Sequence, residues 1–93
     1  MATETEVGVA LVNERLAACV NVIGEVRSFC RWDGGVEEDA EILLVAKARA
    51  ERSMELAARV QELHPYDLPE ILELPVVGGS EGYLKWVEME SRS

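Results

Sequence analysis

The stretch that decides the fold runs from Cys19 to Ala48 and reads CVNVIGEVRSFCRWDGGVEEDAEILLVAKA. In its first half apolar residues fall at even positions and polar residues are common at odd ones. The apolar even positions are Val20, Val22, Val26, Cys30 and Trp32. This period of two predicts a strand with these side chains on one core-facing side. The sequence Asp33-Gly34-Gly35 then supplies residues that tolerate the positive φ angles of a tight hairpin turn.

The return arm of the hairpin changes character along its length. It begins with acidic residues and ends in a continuous apolar run over residues 42–46. Such a run predicts a strand covered on both faces. Each arm has roughly a dozen residues, about twice the usual strand length. We therefore expect a long hairpin that a small domain covers only with the help of neighbouring subunits.

The composition bounds the class of protein. With 93 residues we expect one domain, residues 1–93, and the net charge of −9 disfavours a nucleic-acid partner. No apolar run is long enough to cross a bilayer, and the first residues lack a signal-peptide pattern, so we expect no membrane association and a cytoplasmic location. Cys19 and Cys30 lack metal-type spacing, and we expect both to stay reduced.

The other secondary-structure elements are predicted from helix-capping residues, hydrophobic periodicity and prolines that interrupt helices. Thr3 and Glu6 have capping-box spacing, and His64-Pro65 ends a helical pattern. The predicted elements outside the hairpin are helices at about 4–18, 50–63 and 80–90 and a short strand at 69–75. The order helix, strand, strand, helix, strand, helix predicts an α+β fold on a split βαβ, or ferredoxin-like, plan. One strand is missing at the front.

Several motifs together resemble the family of CutA divalent-cation tolerance proteins, over roughly residues 7–90. The motifs, in order, are ERLAACVN at 14–21, RWDG at 31–34, EED at 37–39, Lys47, HPYDLPEI at 64–71, LPV at 74–76 and YLKW at 83–86. The resemblance implies a ferredoxin-like fold, a tight homotrimer built by edge-to-edge strand contacts, and a link to copper or other divalent ions. It also implies an architecture similar to that of the PII signalling trimers.

The sequence departs from this family in two ways. Family members begin with an apolar strand before the first helix, and we expect its absence here to reflect a late start of the given sequence rather than a working fold without it. The copper ligands proposed for some members are a cysteine in that strand and two adjacent histidines. Here the first histidine position is Leu63 and only His64 remains. His64 has two interpretations: a metal ligand, or a residue at the end of a helix that interacts with the helix dipole.

Other candidate residues carry two interpretations each. The acidic residues Glu37, Glu38, Asp39 and Glu41 could hold a hard cation, or form a solvated arm opposite Arg27 and Arg31. One set of polar residues either lines a cleft between subunits or forms only local hydrogen bonds and ion pairs, and we predict the cleft. Two tryptophans either contact other subunits of a trimer or stack on a ligand, and we predict the subunit contacts. The predicted cleft residues are Lys47, Tyr66 and Glu70, and the predicted interface residues are Trp32 and Trp86.

The sequence therefore predicts a binding or interaction protein and not an enzyme. We expect a CutA-like homotrimer that binds Cu²⁺ or another divalent cation weakly, or serves metal tolerance indirectly. The first alternative is a PII-like regulatory trimer that binds a small anionic metabolite between subunits, although no glycine-rich phosphate loop is present. A cysteine hydrolase using Cys19 with His64 is a second alternative, but no motif for this chemistry surrounds Cys19. We expect Cys19 and Cys30 to serve packing.

Overall fold

A computed structural model describes residues 1–67 and 69–92 of the chain. The elements in order are helix α1 (Glu4–Asn13), strands β1 (Cys19–Trp32) and β2 (Gly35–Lys47), a 3₁₀ turn (Ala50–Arg52), and helices α2 (Ser53–Leu63) and α3 (Glu81–Glu90). In the described residues the two strands form one antiparallel sheet. The chain thus has a mixed α/β fold of a two-stranded sheet and three helices, which agrees with the predicted class at that level.

Helix α1 begins as predicted and ends earlier than predicted. The Thr3 hydroxyl accepts from the Glu6 amide and the Glu6 carboxylate accepts from the Thr3 amide, which is a complete capping box. The predicted end at residue 18 is wrong, because Arg15 adopts a left-handed φ of 61°. The Leu16 amide bonds to the Leu11 carbonyl and the Arg15 amide to that of Val12. These two bonds form a Schellman motif, which ends the helix at Asn13.

The hairpin turn forms as the sequence predicts. Trp32 pairs with Gly35, and the two residues between them, Asp33 and Gly34, have φ angles of 48° and 78°. Positive φ at both central residues is the geometry of a two-residue type I′ turn, whose twist matches that of the strands. The turn fixes the register of the far half of the hairpin, from the pair of Trp32 with Gly35 to the pair of Val26 with Glu41.

A β-bulge corrects the prediction that the even positions of β1 share one face. Ile23 pairs with Leu43 but Val26 pairs with Glu41, so β1 has one residue more than β2 between these pairs. An extra residue reverses the side on which later side chains lie. Val20 and Val22 therefore face the helices, whereas the later even positions, Val26, Ser28, Cys30 and Trp32, lie on the opposite face.

The core lies between α1, α2 and the first part of the hairpin. Its buried residues are Val7, Leu11, Leu16 and Ala17, with partly buried neighbours Val20, Leu44, Leu56, Val60 and Leu63. The prediction that the run over residues 42–46 is covered on both faces is wrong for the single chain. Only Leu44 in that run is partly buried, since the layer of helices covers one side of the sheet. Cys30 is likewise exposed rather than packed.

The predicted strand at 69–75 is not formed. Residues 69–80 carry no regular secondary structure, and the apolar side chains Leu72, Leu74 and Val77 are 78%, 82% and 97% exposed. A strand requires a neighbour for its ladder of hydrogen bonds. Among the described residues only β1 and β2 form a sheet, and this segment therefore stays unpaired.

The chain exposes more surface than its mass predicts. Its accessible surface is 7012 Å² for a mass of 10.3 kDa, whereas a folded monomer of this mass exposes about 5,400 Å². The radius of gyration is 14.6 Å, against about 12 Å for a compact chain of this length. The excess of about 1,600 Å² lies largely in the hairpin, the 69–77 segment and α3, where large apolar side chains are exposed.

Candidate functional site

The far half of the hairpin carries an acidic row that the bulge places opposite to the helices. Glu37, Asp39 and Glu41 alternate along β2 and share one face with Cys30 and Trp32 of β1. These side chains line an open cleft of about 540 Å³, whose other wall is the segment from Pro69 to Leu72 and includes Glu70. The cleft thus combines four carboxylates with one thiol and one indole.

One alternative from the sequence placed the acidic arm opposite Arg27 and Arg31. In the structure, arginine neutralises only part of this acidic charge. Glu38 pairs with Arg27 at 2.5 Å on the face of the sheet that the helices occupy. The three carboxylates of the acidic row point to the other face and, within residues 1–67 and 69–92, none of them forms an ion pair. The predicted opposition of charges therefore holds for Glu38 alone, and the row keeps its negative charge.

This geometry limits how a cation could bind. Side chains two positions apart on a strand are separated by about 7 Å at their roots, while a transition metal requires ligand atoms at about 2.0–2.3 Å in fixed geometry. In the described part of the chain, no three His, Cys, Asp or Glu side chains converge in a geometry that could hold a metal ion. The row can attract cations through its charge, but single carboxylates must do the binding.

His64 is not part of the acidic row and has a different environment. It caps the C-terminal end of α2, and its side chain is 18% exposed. Its Nε2 atom lies 3.7 Å from a carboxylate oxygen of Glu4, and its ring centroid lies 4.7 Å from that of Tyr66. Among the described residues, no hydrogen bond links it to Cys19 or Cys30. The ligand role of His64 stays a prediction, and the arrangement provides one carboxylate as a possible second ligand.

The three residues predicted to line a cleft are not brought together within one chain. Lys47 ends β2, where its ammonium group donates to the Asn21 side chain. Glu70 lines the cleft with side chains from the far half of the hairpin, whereas Lys47 lies at the opposite end of β2. Tyr66 is 53% exposed and its carbonyl accepts from Gln61. A shared cleft of these residues requires two chains and stays a prediction.

The two tryptophans lie outside the core, as the sequence suggests. Trp32 is 54% exposed at the hairpin tip, and Trp86 is 42% exposed on α3, where its ring centroid lies 5.5 Å from that of Tyr83. In this geometry both indoles are available to another molecule. Their assignment to a trimer interface stays a prediction.

Two polar connections escaped the sequence analysis. Arg59 of α2 donates two hydrogen bonds, of 2.8 and 2.9 Å, to the carboxylate of Glu14 at the end of α1. The hydrogen bonds from Arg59 lower the pKa of the Glu14 carboxyl below its ordinary value. Arg15 donates to the carbonyls of Met89 and Arg92 at the end of α3. Glu14 and Arg15 belong to the ERLAACVN motif, but no spacing rule predicts hydrogen bonds to partners so distant in sequence.

Comparison with known proteins identifies the family. The family described as CutA1 divalent ion tolerance protein matches residues 1–90. A divalent-cation tolerance protein CutA from Thermus thermophilus is 49% identical over 78 residues, which are 84% of this chain and 76% of that protein. A chloroplastic protein CutA from Arabidopsis thaliana is 40% identical over 84 residues, or 90% of this chain and 46% of that protein. The chain thus spans about half the length of the plant relative.

Solved structures agree with the sequence comparison. The chain superposes on a divalent cation tolerance protein from Thermus thermophilus with a TM-score of 0.89 and 43% identity, covering 95% of this chain and 85% of that one. It also superposes on a PII-like protein CutA from Nostoc sp. in apo form, with a TM-score of 0.85 and 33% identity, covering 96% and 86%.

The comparisons identify the family of this chain, but they do not identify its cellular compartment. Across the residues that the structure describes, no helix is long and apolar enough to cross a membrane. The Arabidopsis relative is named as a chloroplastic protein and a solved CutA from Archaeoglobus fulgidus as a periplasmic one, so family members differ in location. The family itself follows from a profile that matches nearly the whole chain and from relatives at up to 49% identity. This chain belongs to the CutA family of divalent-cation tolerance proteins.

Proposed function

We propose that this chain serves divalent-cation tolerance as a cytoplasmic homotrimer that binds divalent cations weakly or acts indirectly, and that it is not an enzyme. The observation that carries the proposal is the unpaired acidic row, Glu37, Asp39 and Glu41, in a protein whose relatives are named for divalent-cation tolerance. The helix, hairpin, helix order and the solved neighbours support a ferredoxin-like plan.

Self-association is supported by surface area. A standard interface removes about 800 Å² from each partner, and each subunit of a closed ring takes part in two interfaces. The excess exposed surface of about 1,600 Å² equals two such contributions. Trp32 and Trp86 lie within the exposed apolar regions and would act as aromatic anchors of these contacts.

Weak cation binding follows from ligand chemistry. Oxygen ligands on separate strand positions suit exchangeable binding of hard or borderline cations, and salt screens such exposed charges. His64 offers one imidazole with one carboxylate nearby, which is fewer than the three or four ligands of a selective copper or zinc site. We therefore expect Cu²⁺ to bind no tighter than about micromolar.

The test is a competition titration of the assembled protein with Cu²⁺ against a chelator of known affinity. We expect the triple variant Glu37→Gln, Asp39→Asn, Glu41→Gln to weaken binding about tenfold, which corresponds to about 1.4 kcal/mol. His64→Ala should leave binding unchanged. A control triple, Glu73→Gln, Glu81→Gln, Glu88→Gln, removes the same charge elsewhere. Nanomolar affinity lost in His64→Ala would overturn the proposal, as would equal losses in both triple variants.

The second candidate function is a PII-like regulator that binds a small anionic metabolite between subunits. The similarity to the solved PII-like protein CutA from Nostoc sp. favours it. Lys47 is the cation among the proposed cleft residues, but its ammonium group already donates to Asn21. A thermal-shift panel of anionic metabolites distinguishes the two candidates. A stabilising metabolite whose effect disappears in Lys47→Ala would favour the regulator, and stabilisation by divalent cations alone would favour the first proposal.

A further inference from the structure

We draw no further inference here: the strongest candidate, the open cleft between the far half of the hairpin and the segment from Pro69 to Leu72, rests on a cluster of carboxylates and the thiol of Cys30 that belong to the site already described, and among the described residues no second feature points to a ligand of another class.

Discussion

Replacing Arg15 tests how the C-terminal helix is held on the rest of the chain. Its guanidinium group bridges the end of α1 to the carbonyls of Met89 and Arg92, and lies 3.7 Å from the Glu90 carboxylate. Its backbone adopts a left-handed φ of 61°, which a residue with a Cβ atom adopts at a cost. Arg15→Ala removes the side-chain contacts and keeps the backbone cost. Arg15→Gly removes both.

The expected energies follow from these two contributions. A hydrogen bond from a charged donor contributes about 1.5–3 kcal/mol when shielded. The Arg15 side chain is 49% exposed, so we reduce the total for its contacts to about 1–2 kcal/mol. Glycine relieves about 1–2 kcal/mol of backbone strain but loses about 0.5–1 kcal/mol through its freedom in the unfolded chain. Arg15→Gly should therefore be more stable than Arg15→Ala by about 0.5–1 kcal/mol.

Hydrogen exchange and urea unfolding separate the two contributions. Both variants should reduce the protection of the α3 amides by about 5–30-fold, which is the equivalent of 1–2 kcal/mol. Only the urea midpoint should distinguish glycine from alanine. Arg27→Ala, which removes an ion pair on the hairpin, is the control and should leave α3 protection unchanged. Unchanged α3 protection in both Arg15 variants would refute the role of the side chain.

The other predictions concern the interface, the core, a helix cap and acid stability. Trp32→Ala should raise the dissociation constant of the assembly about tenfold or more without changing the circular dichroism spectrum, and a fully assembled variant at high dilution would contradict this. Leu11→Ala, at a core position 1% exposed, should lower the free energy of unfolding by about 3 kcal/mol, measured by urea titration. Thr3→Ala should cost about 1 kcal/mol in the same assay. Because Arg59 lowers the pKa of Glu14 in the folded state from 4.5, this pair stabilises above pH 4.5 and the stabilisation is lost as pH falls through the lowered pKa. Urea titrations from pH 3 to 7 should therefore show a smaller acid-dependent loss of stability in Glu14→Gln than in the wild type, and equal losses would refute the assignment.

The parts of the fold that could be predicted are those whose cause is local in sequence. The turn at Asp33-Gly34 needs two residues that tolerate positive φ, and the cap of α1 needs Thr3 and Glu6 at fixed spacing. The end of α2 at His64 follows from the proline after it. Each of these signals lies within four residues of the structure that it specifies.

The parts that were not predicted depend on features that hydrophobic periodicity does not record. Arg15 ends α1 in a conformation usually taken by glycine, so the periodicity overestimates the helix. The bulge after Ile23 reverses the faces of β1, and alternation alone carries no record of an inserted residue.

The composition of the candidate site could be predicted from the sequence, but its geometry could not. The acidic residues are evident in the sequence, but their separation into the Glu38 ion pair and the unpaired acidic row depends on which face each residue occupies. The 69–75 segment has the composition of a strand and lacks the neighbour that would make it one.

The measurement that tests the central claim most directly is sedimentation equilibrium of the full chain at micromolar and nanomolar concentrations. We assign the exposed apolar surface of the hairpin and of α3 to contacts between copies, in a protein with an excess surface of about 1,600 Å². We therefore expect a species of three chains at micromolar concentration, where a single chain has a mass of 10.3 kDa. A protein that sediments with the mass of one chain throughout this range would contradict it.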